Sequence, residues 1–280
     1  MKSPRNCFLV LAAFCGLPSL AQDLKIPQPS TFQQIEQDFG LGKIVIGYSR
    51  PNTRGRKIFD GMEPYGVVWR TGANAATKIK LTDSFLVEGH PLAPATYALF
   101  SIPGKDEWTF IFNKTENQWG AYSYDSTKDA LRFKVKAGKL TAKLETFTMQ
   151  FVNVTTDHCE LQISWENTIV SMRFETDVDS RVMANIDQAM QGEKKPYYTA
   201  AIYYYIHNKD MKKALAWINE FDKAHPDADN AKYWKARILL KMGDKAGAIA
   251  IANEGLTLAT KASDIEYARV NREVLADAKN

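Results

Sequence analysis

Four basic side chains lie within eight residues of one segment, SRPNTRGRKIF, which begins at Ser49. They are Arg50, Arg54, Arg56 and Lys57. Pro51 and Gly55 interrupt the segment, which indicates a loop. A guanidinium group presents planar N–H donors that match a carboxylate or a phosphate. The loop therefore predicts either an anion-binding site or a set of arginines that bridge main-chain carbonyls of an ordered loop.

A second polar segment, GVVWRTGANAAT, runs from residue 66 to residue 77. Val67 and Trp69 alternate as strand residues, which would leave Arg70 on the opposite face. The letters TGAN then predict a glycine-permitted turn before a strand that starts near Thr77, and Asn74 can brace that turn through its side-chain amide. The segment is typical of a hairpin corner, and a polar site is the alternative.

Three aromatic residues recur in NQWGAYSYD, namely Trp119, Tyr122 and Tyr124. Such rings, beside amides and a carboxylate, could stack a sugar ring and bond its hydroxyls. Large aromatics in a β-rich domain also serve as core or hairpin packing. Both interpretations remain open on the sequence.

Motifs of known catalytic chemistry are missing from the sequence. It contains no GxSxG, HExxH, P-loop or GxGxxG motif. The four histidines, His90, His158, His207 and His225, show no metal-ligand spacing. Cys159 lies in an alternating strand pattern and is expected to be a buried, inert thiol. We therefore predict no metal and no cofactor, and we assign no catalytic residue.

The first 21 residues read as a secretory signal peptide. Lys2 and Arg5 precede the apolar run FLVLAAFCGLPSL, and Ser19 and Ala21 supply the small residues of a cleavage site. The expected mature chain starts at Gln22 and is periplasmic or secreted. No later stretch approaches the ~18 apolar residues of a transmembrane helix.

Charge and length limit the classes of protein. Without Lys2 and Arg5, 34 basic side chains face 32 acidic ones, a net charge of +2 that does not suggest nucleic-acid binding. The remaining ~259 residues are enough for two domains. The residue pattern changes near residue 178, so we predict a β domain over residues 24–178 and a helical domain over residues 179–280.

Period-two alternation dominates the first domain. Eight or nine short strands are predicted, separated by turn residues in VEGHPLAPATY, IPGKDEW and KAGKL. This pattern predicts an antiparallel β-sandwich or barrel.

Helical periodicity dominates the second domain. Asp179 and Ser180 are candidate caps of its first helix. Further on, YYYIHNKDMKKALAWI and ILLKMGDKAGAIAIA align at an offset of 34 residues, which matches Ala214 to Ala248. A helix–turn–helix unit of this period resembles the tetratricopeptide repeat, although Gly255 stands where the first unit has the bulky Phe221.

The β domain closely resembles domain-of-unknown-function family 2911. The resemblance rests on YSRPNTRGRKIFDG, PYGVVWRTGANAAT, VEGHPLAPATYALFSIPGKDEWTFIFNK and NQWGAYSYD. It implies no activity, but it couples the TGAN bend to the arginine loop. If a pocket is present, Arg50, Arg56, Arg70 and Asn74 are predicted to line it, with Trp119 and Tyr122 as further candidate ligand-binding residues.

Two classes of function are compatible with these features. The first is an exported binding or scaffolding protein, with a small anionic or carbohydrate ligand on the β domain and a protein partner on the helical repeats. The alternative is a hydrolase or isomerase with a non-standard site in an arginine-rich cleft. The empty motif search favours the binding protein.

Overall fold

The computed structural model describes residues 26–279, which form two compact units that divide between Thr176 and Asp177. The predicted signal peptide, with Cys7 and Cys15, lies outside the described residues. None of the helices within residues 26–279 combines the length and the apolar character that a membrane crossing requires.

The first unit is one nine-stranded antiparallel sheet with the order β1-β2-β3-β6-β7-β8-β9-β4-β5. Its strands are β1 (Thr31–Phe39), β2 (Gly42–Arg50), β3 (Thr77–Leu81), β4 (Phe85–Val87), β5 (His90–Leu92), β6 (Ala95–Ile102), β7 (Glu107–Asn113), β8 (Asp129–Val152) and β9 (His158–Glu175). The antiparallel β-rich unit is confirmed. The sheet is not closed, because β1 and β5 remain its two edges, so it is not a barrel.

All nine strands contribute apolar side chains to one core. Phe59, Trp69, Trp108, Phe147 and Trp165 form its aromatic centre, where neighbouring ring centroids lie 4.8–6.1 Å apart. Most of these pairs meet edge to face, the arrangement that the ring quadrupole favours. Alternation places every second residue of a strand in this core, and the others face outward.

Two strands are longer than the sequence pattern predicts. The segment KAGKL was expected to be a hairpin turn, but residues 136–140 lie inside the 24-residue β8. Gly138 pairs with Ile169 of β9, and a Cβ at this glycine would lie 3.1 Å from the Ile169 side chain. The glycine therefore serves close strand contact, and the turn prediction is wrong. The alternating segments CELQISWEN and TIVSMRFETD, which the sequence pattern predicts as two short strands, are likewise one strand, β9.

The other two turn predictions are confirmed. Glu88 and Gly89 have φ values of 49° and 77° and link β4 to β5, as a two-residue hairpin loop requires. Pro103 and Gly104 lie between the paired strands β6 and β7.

The second unit consists of six helices, as expected for an all-α unit that follows the sheet. They are α1 (Val178–Ala189), α2 (Tyr197–Ile206), α3 (Met211–Ala224), α4 (Asp229–Lys241), α5 (Lys245–Ala262) and α6 (Ile265–Asp277). The first helix is capped by Asp177, whose carboxylate accepts from the Ser180 N–H, so the cap precedes both predicted residues.

The 34-residue offset is visible in the helix starts. Asp210 caps α3 and Asp244 caps α5, each by accepting main-chain N–H groups of the first turn. Ala214 and Ala248, one turn later, are fully buried. Gly255 packs under α6, since a Cβ there would lie 2.7 Å from the Asn271 side-chain oxygen. A bulky residue like Phe221 would therefore push α6 away.

Candidate functional site

Arg50 lies at the end of β2 and ties that strand to β8. Its Nε donates to the Phe147 carbonyl at 3.0 Å, and its Nη2 donates to the Thr148 hydroxyl at 2.9 Å. The bond from Arg50 gives the half-buried Phe147 carbonyl a hydrogen-bond donor, which stabilises the sheet. Two of the N–H groups of Arg50 are thus engaged by the protein itself.

The loop after β2 is held by a carboxylate of β8. Glu145 accepts hydrogen bonds from the Thr53 hydroxyl and from the Arg54 main-chain N–H, and these bonds lower the pKa of its carboxyl. Arg56 turns back onto the same loop and donates to the carbonyls of Thr53 and Asn52, at 2.9 and 2.8 Å. These contacts correspond to the bracing alternative, and a ligand role for Arg50 or Arg56 stays a prediction.

Arg70 faces a carboxylate that the sequence did not single out. Burial raises the pKa of Glu63 to about 7, and the nearby charges of Arg70 and Arg56 partly offset that rise. Among the described residues neither arginine forms an ion pair with Glu63, and the buried Nε of Arg70 lacks a hydrogen-bond partner. Arg56 and Arg70 therefore act on the Glu63 carboxyl through their charges, without an ion pair to it.

Nothing in the letters around Glu63 signals this environment. The residue sits in a compact loop in which the Glu63 N–H donates to the Ile58 carbonyl at 2.9 Å and the Glu63 carbonyl accepts from Asp60. Burial of the carboxyl follows from how this loop packs on the sheet. Only a signal that reports tertiary contacts could have found it.

The bend between Arg70 and β3 is a buried, tightly braced turn. Thr71, a β-branched residue, has a φ of 52° and donates to the Ser101 hydroxyl at 2.9 Å. Such a backbone conformation costs about 1–3 kcal/mol and persists only where its surroundings hold it. β3 starts at Thr77 as predicted, while Val67 is exposed and Trp69 is buried, so these two do not share one environment.

Asn74 closes this turn and reaches the outer face of the sheet. Its φ is 60°, and its Nδ2 lies 3.3 Å from both the Ser30 carbonyl and the Ser49 hydroxyl. The Asn74 amide was predicted to brace its own turn. It does act as a brace, but it ties the turn to β2 and to the segment before β1. Asn74 thereby fixes the position of Ser49.

Part of the outer face of the sheet is covered by the segment between β7 and β8, residues 114–128. Ala121 and Tyr124 of this cover segment pack on an apolar patch formed by Ala76, Phe100 and Ile111. The Tyr124 hydroxyl donates to Asp129 at 2.7 Å, which fixes the segment on the start of β8. Tyr124 is therefore a packing residue.

The other two aromatics of the cover segment point into solvent. Trp119 is 67 % exposed and Tyr122 is 87 % exposed, so core packing does not account for them. Trp119 pairs with Ala75 in an antiparallel bridge. Residues paired in this way place their side chains on the same side, so the indole stands beside Ala75.

An open groove of about 340 Å³ lies on the outer face beside the start of the cover segment, where Glu116 lines it. Its floor comes from Val45 and Gly47 of β2 and from Ala76, which immediately precedes β3. Phe32 of β1 lies at its side with 68 % of its surface exposed, and Ala75 beside Trp119 lines it too. We call this feature the sheet groove. None of the six predicted ligand-binding residues lines the groove itself. Asn74 and Trp119 come nearest, because Asn74 bonds the lining residue Ser49 and Trp119 pairs with the lining residue Ala75.

The described residues form neither a metal-binding cluster nor a reactive thiol beside these features. Within residues 26–279, no three His, Cys, Asp or Glu side chains are grouped so that they could hold a metal ion. Cys159 is fully buried, as predicted, and burial raises the pKa of its thiol to about 12. A protonated, inaccessible thiol is a poor nucleophile.

Comparisons with known proteins identify the sheet but not its activity. The model of a family described as "Protein of unknown function (DUF2911)" matches residues 30–174, which is slightly more than half of the chain. Searches of curated proteins and of solved structures give no significant match.

Proposed function

The chain belongs to the DUF2911 family, and we propose that it is an exported envelope protein that binds a ligand in the sheet groove. The observation that carries this proposal is the exposed aromatic surface of the groove. Phe32 lines the groove and is exposed, and the exposed Trp119 stands beside the lining residue Ala75, whereas Tyr124 nearby is packed on the apolar patch of the outer face. Contiguous exposed apolar surface rimmed by polar residues marks binding sites.

A thermal-shift screen against envelope metabolites and glycans tests this proposal. A ligand that binds only the folded protein raises its melting temperature. We expect at least one compound to stabilise the wild type and to lose its effect on Phe32→Ala, whose side chain is exposed. Leu86→Ala, which removes another exposed apolar side chain far along the sheet order on β4, is the control. A compound effect that Phe32→Ala preserves would place binding outside the groove.

Export is proposed on the residue pattern of positions 1–21 alone. N-terminal sequencing of the protein from the periplasmic or culture fraction should give Gln22 as the first residue. Recovery of the chain with Met1 intact would contradict export.

A second candidate function, a hydrolase or isomerase, is favoured by one observation. Glu63 has a pKa of about 7 and lies near the charges of Arg70 and Arg56. A carboxyl with such a pKa can donate or accept a proton near neutral pH, as a general acid or base must. If the protein is an enzyme, Glu63→Gln should abolish turnover of any substrate found, while the thermal-shift response at the sheet groove persists. Turnover that survives Glu63→Gln would exclude this carboxyl as the acid or base.

For the helical unit we propose a tetratricopeptide-like arrangement that presents one face to a protein partner. The support is the equivalence of Ala214 and Ala248, both fully buried one turn after a capping aspartate. Ala214→Leu and Ala248→Leu should each destabilise the unit by about 1–3 kcal/mol through overpacking. A neutral effect at either position would contradict the equivalence.

A further inference from the structure

The sheet groove carries an excess of positive charge. Lys78 and Lys80 occupy alternate positions of β3, so both side chains rise from the same outer face. Among the described residues that line the groove, Glu116 supplies the only carboxylate. A site with two ammonium groups and one carboxylate favours an anionic ligand, because bringing a cation there would add repulsion.

The two lysines differ in how much of their bonding capacity is used. The Lys78 ammonium donates to the side-chain oxygen of Asn117 in the cover segment. Within the described part of the chain the Lys80 ammonium makes neither a hydrogen bond nor an ion pair, and the residue is exposed. An ammonium group has three N–H donors, so both lysines retain donors for a ligand.

The apolar part of the groove is shaped by Gly47. A Cβ at this position would lie 2.9 Å from the Cζ of Phe32, so the Phe32 ring lies across the bare glycine. Val45 and Ala76 extend this surface. A flat, largely apolar ring can therefore be accommodated with one face against Phe32.

Hydroxyl and amide groups surround this apolar surface. Ser49, held by Asn74, lies at one end, and Thr96 and Gln34 line the groove from the neighbouring strands. These groups donate and accept hydrogen bonds with ligand hydroxyls. A purely aromatic carboxylate would leave them without partners, whereas a sugar would engage them.

We propose that the sheet groove recognises an acidic saccharide, whose ring packs on Phe32 and whose carboxylate pairs with Lys78 and Lys80. This inference rests on the proposed function and adds to it the class of ligand. Charge-assisted hydrogen bonds are stronger than neutral ones, so the carboxylate supplies specificity for acidic over neutral sugars. The Coulomb part of this recognition is screened by salt.

Isothermal titration of the mature full-length chain with trigalacturonate, and with maltotriose as the neutral probe, tests the proposal. We expect trigalacturonate to bind about ten-fold or more tightly than maltotriose, and its affinity to fall as salt rises. Lys78→Ala and Lys80→Ala should each weaken trigalacturonate about five- to ten-fold and leave maltotriose unchanged. Lys139→Ala, an exposed lysine on β8, is the control and should bind like the wild type.

Further variants separate failure of this inference from failure of the proposed function. Gly47→Val fills the groove floor and should abolish saccharide binding. If Gly47→Val unfolds the chain, Ser49→Ala is the second variant: it removes a hydroxyl without adding bulk and should weaken saccharide binding. Equal affinity for the two saccharides, or lysine variants that bind like the wild type, would overturn acid recognition. The proposed function, ligand binding in the sheet groove, would survive that result if Phe32→Ala abolished binding of another compound. No binding of trigalacturonate by the wild type also overturns the saccharide assignment.

Discussion

The guanidinium of Arg50 bonds the carbonyl of Phe147, 97 residues further along the chain, at an Nε–O distance of 3.0 Å. β2 and β8 are not neighbours in the sheet order, but main-chain bonds join β8 to the segment just after β2, where the Phe147 N–H donates to the Pro51 carbonyl at 2.9 Å. The Arg50 side chain extends this junction to the last residue of β2. The arginine that the sequence offered as a ligand-binding residue is thus a cross-link within the unit.

We expect Arg50→Ala to lower the free energy of unfolding by roughly 1–3 kcal/mol, because the Phe147 carbonyl and the Thr148 hydroxyl lose their donor. Urea unfolding measures the change. Arg56→Ala is the comparison: its carbonyl partners lie only three and four residues away, so we expect a loss within about 1 kcal/mol. Equal losses in the two variants would contradict a special role for the long-range bond.

Stability should depend on the protonation of Glu63. Its pKa is raised in the folded protein to about 7, from 4.5, so the folded state binds the proton more tightly than the unfolded state. The resulting stabilisation is fully present below pH 4.5, declines as pH rises, and is lost above about pH 7.

Glu63→Gln should remove this dependence, because glutamine does not titrate. Above pH 7 we expect the variant to exceed the wild type by on the order of 1–3 kcal/mol, with the difference growing between pH 4.5 and 7. Thermal melts across this range measure it. Glu220→Gln, on an exposed site of α3, should follow the wild type. A constant difference between Glu63→Gln and wild type at all pH values would show that the carboxyl is not perturbed.

Arg70 should set the pKa of Glu63 through its charge. Arg70→Ala removes the larger of the two offsetting charges, so the pKa of Glu63 should rise further above 7. Arg70→Lys keeps the charge and should leave the pKa nearly unchanged. Carbon-13 NMR titration of glutamate carboxyls reports this directly. Arg54→Ala, whose charge is not among those acting on Glu63, is the control. An unshifted Glu63 in Arg70→Ala would refute the coupling.

Cys159 should resist thiol reagents until the sheet unfolds. Its thiol is fully buried and its pKa is raised to about 12, so the reactive thiolate is scarce and inaccessible at pH 8. In a chain that starts at Gln22, Ellman's reagent should detect no thiol in the native protein and one thiol in guanidinium chloride. Rapid labelling of the native protein would contradict the burial.

Gly72 should be much less replaceable than Gly55. At Gly72, φ is 152° and a Cβ would lie 3.1 Å from the Ser49 carbonyl oxygen, so Gly72→Ala should cost about 1–3 kcal/mol or more. Gly55 also has a positive φ, but a Cβ there would meet no atom within 4 Å, so Gly55→Ala should cost only about 1 kcal/mol. Denaturant melts of the two variants compare them. Similar costs would indicate that crowding at Gly72 is relieved by small shifts.

Local sequence patterns predicted the features that depend on neighbouring residues. Period-two alternation predicted the antiparallel strands of the first unit, and helical periodicity predicted the helices of the second. Patterns failed where the deciding contact is distant. Gly138 reads as a turn, but it accommodates Ile169 on the neighbouring strand. Burial of Glu63 and exposure of Trp119 depend on which loop covers which face, and alternation does not encode that.

The strand pairings of the sheet also bear on the order in which the two units fold. β4 pairs with the end of β9, and Arg50 meets Phe147, so the sheet closes chain loops of nearly one hundred residues. Helices α2 to α6 of the second unit pack mainly on helices close to them in the chain. Folding rates fall as the sequence separation of native contacts grows. The helical unit is synthesised after the sheet, because it follows the sheet in the chain. Once synthesised, we expect it to form its native contacts faster than the sheet does.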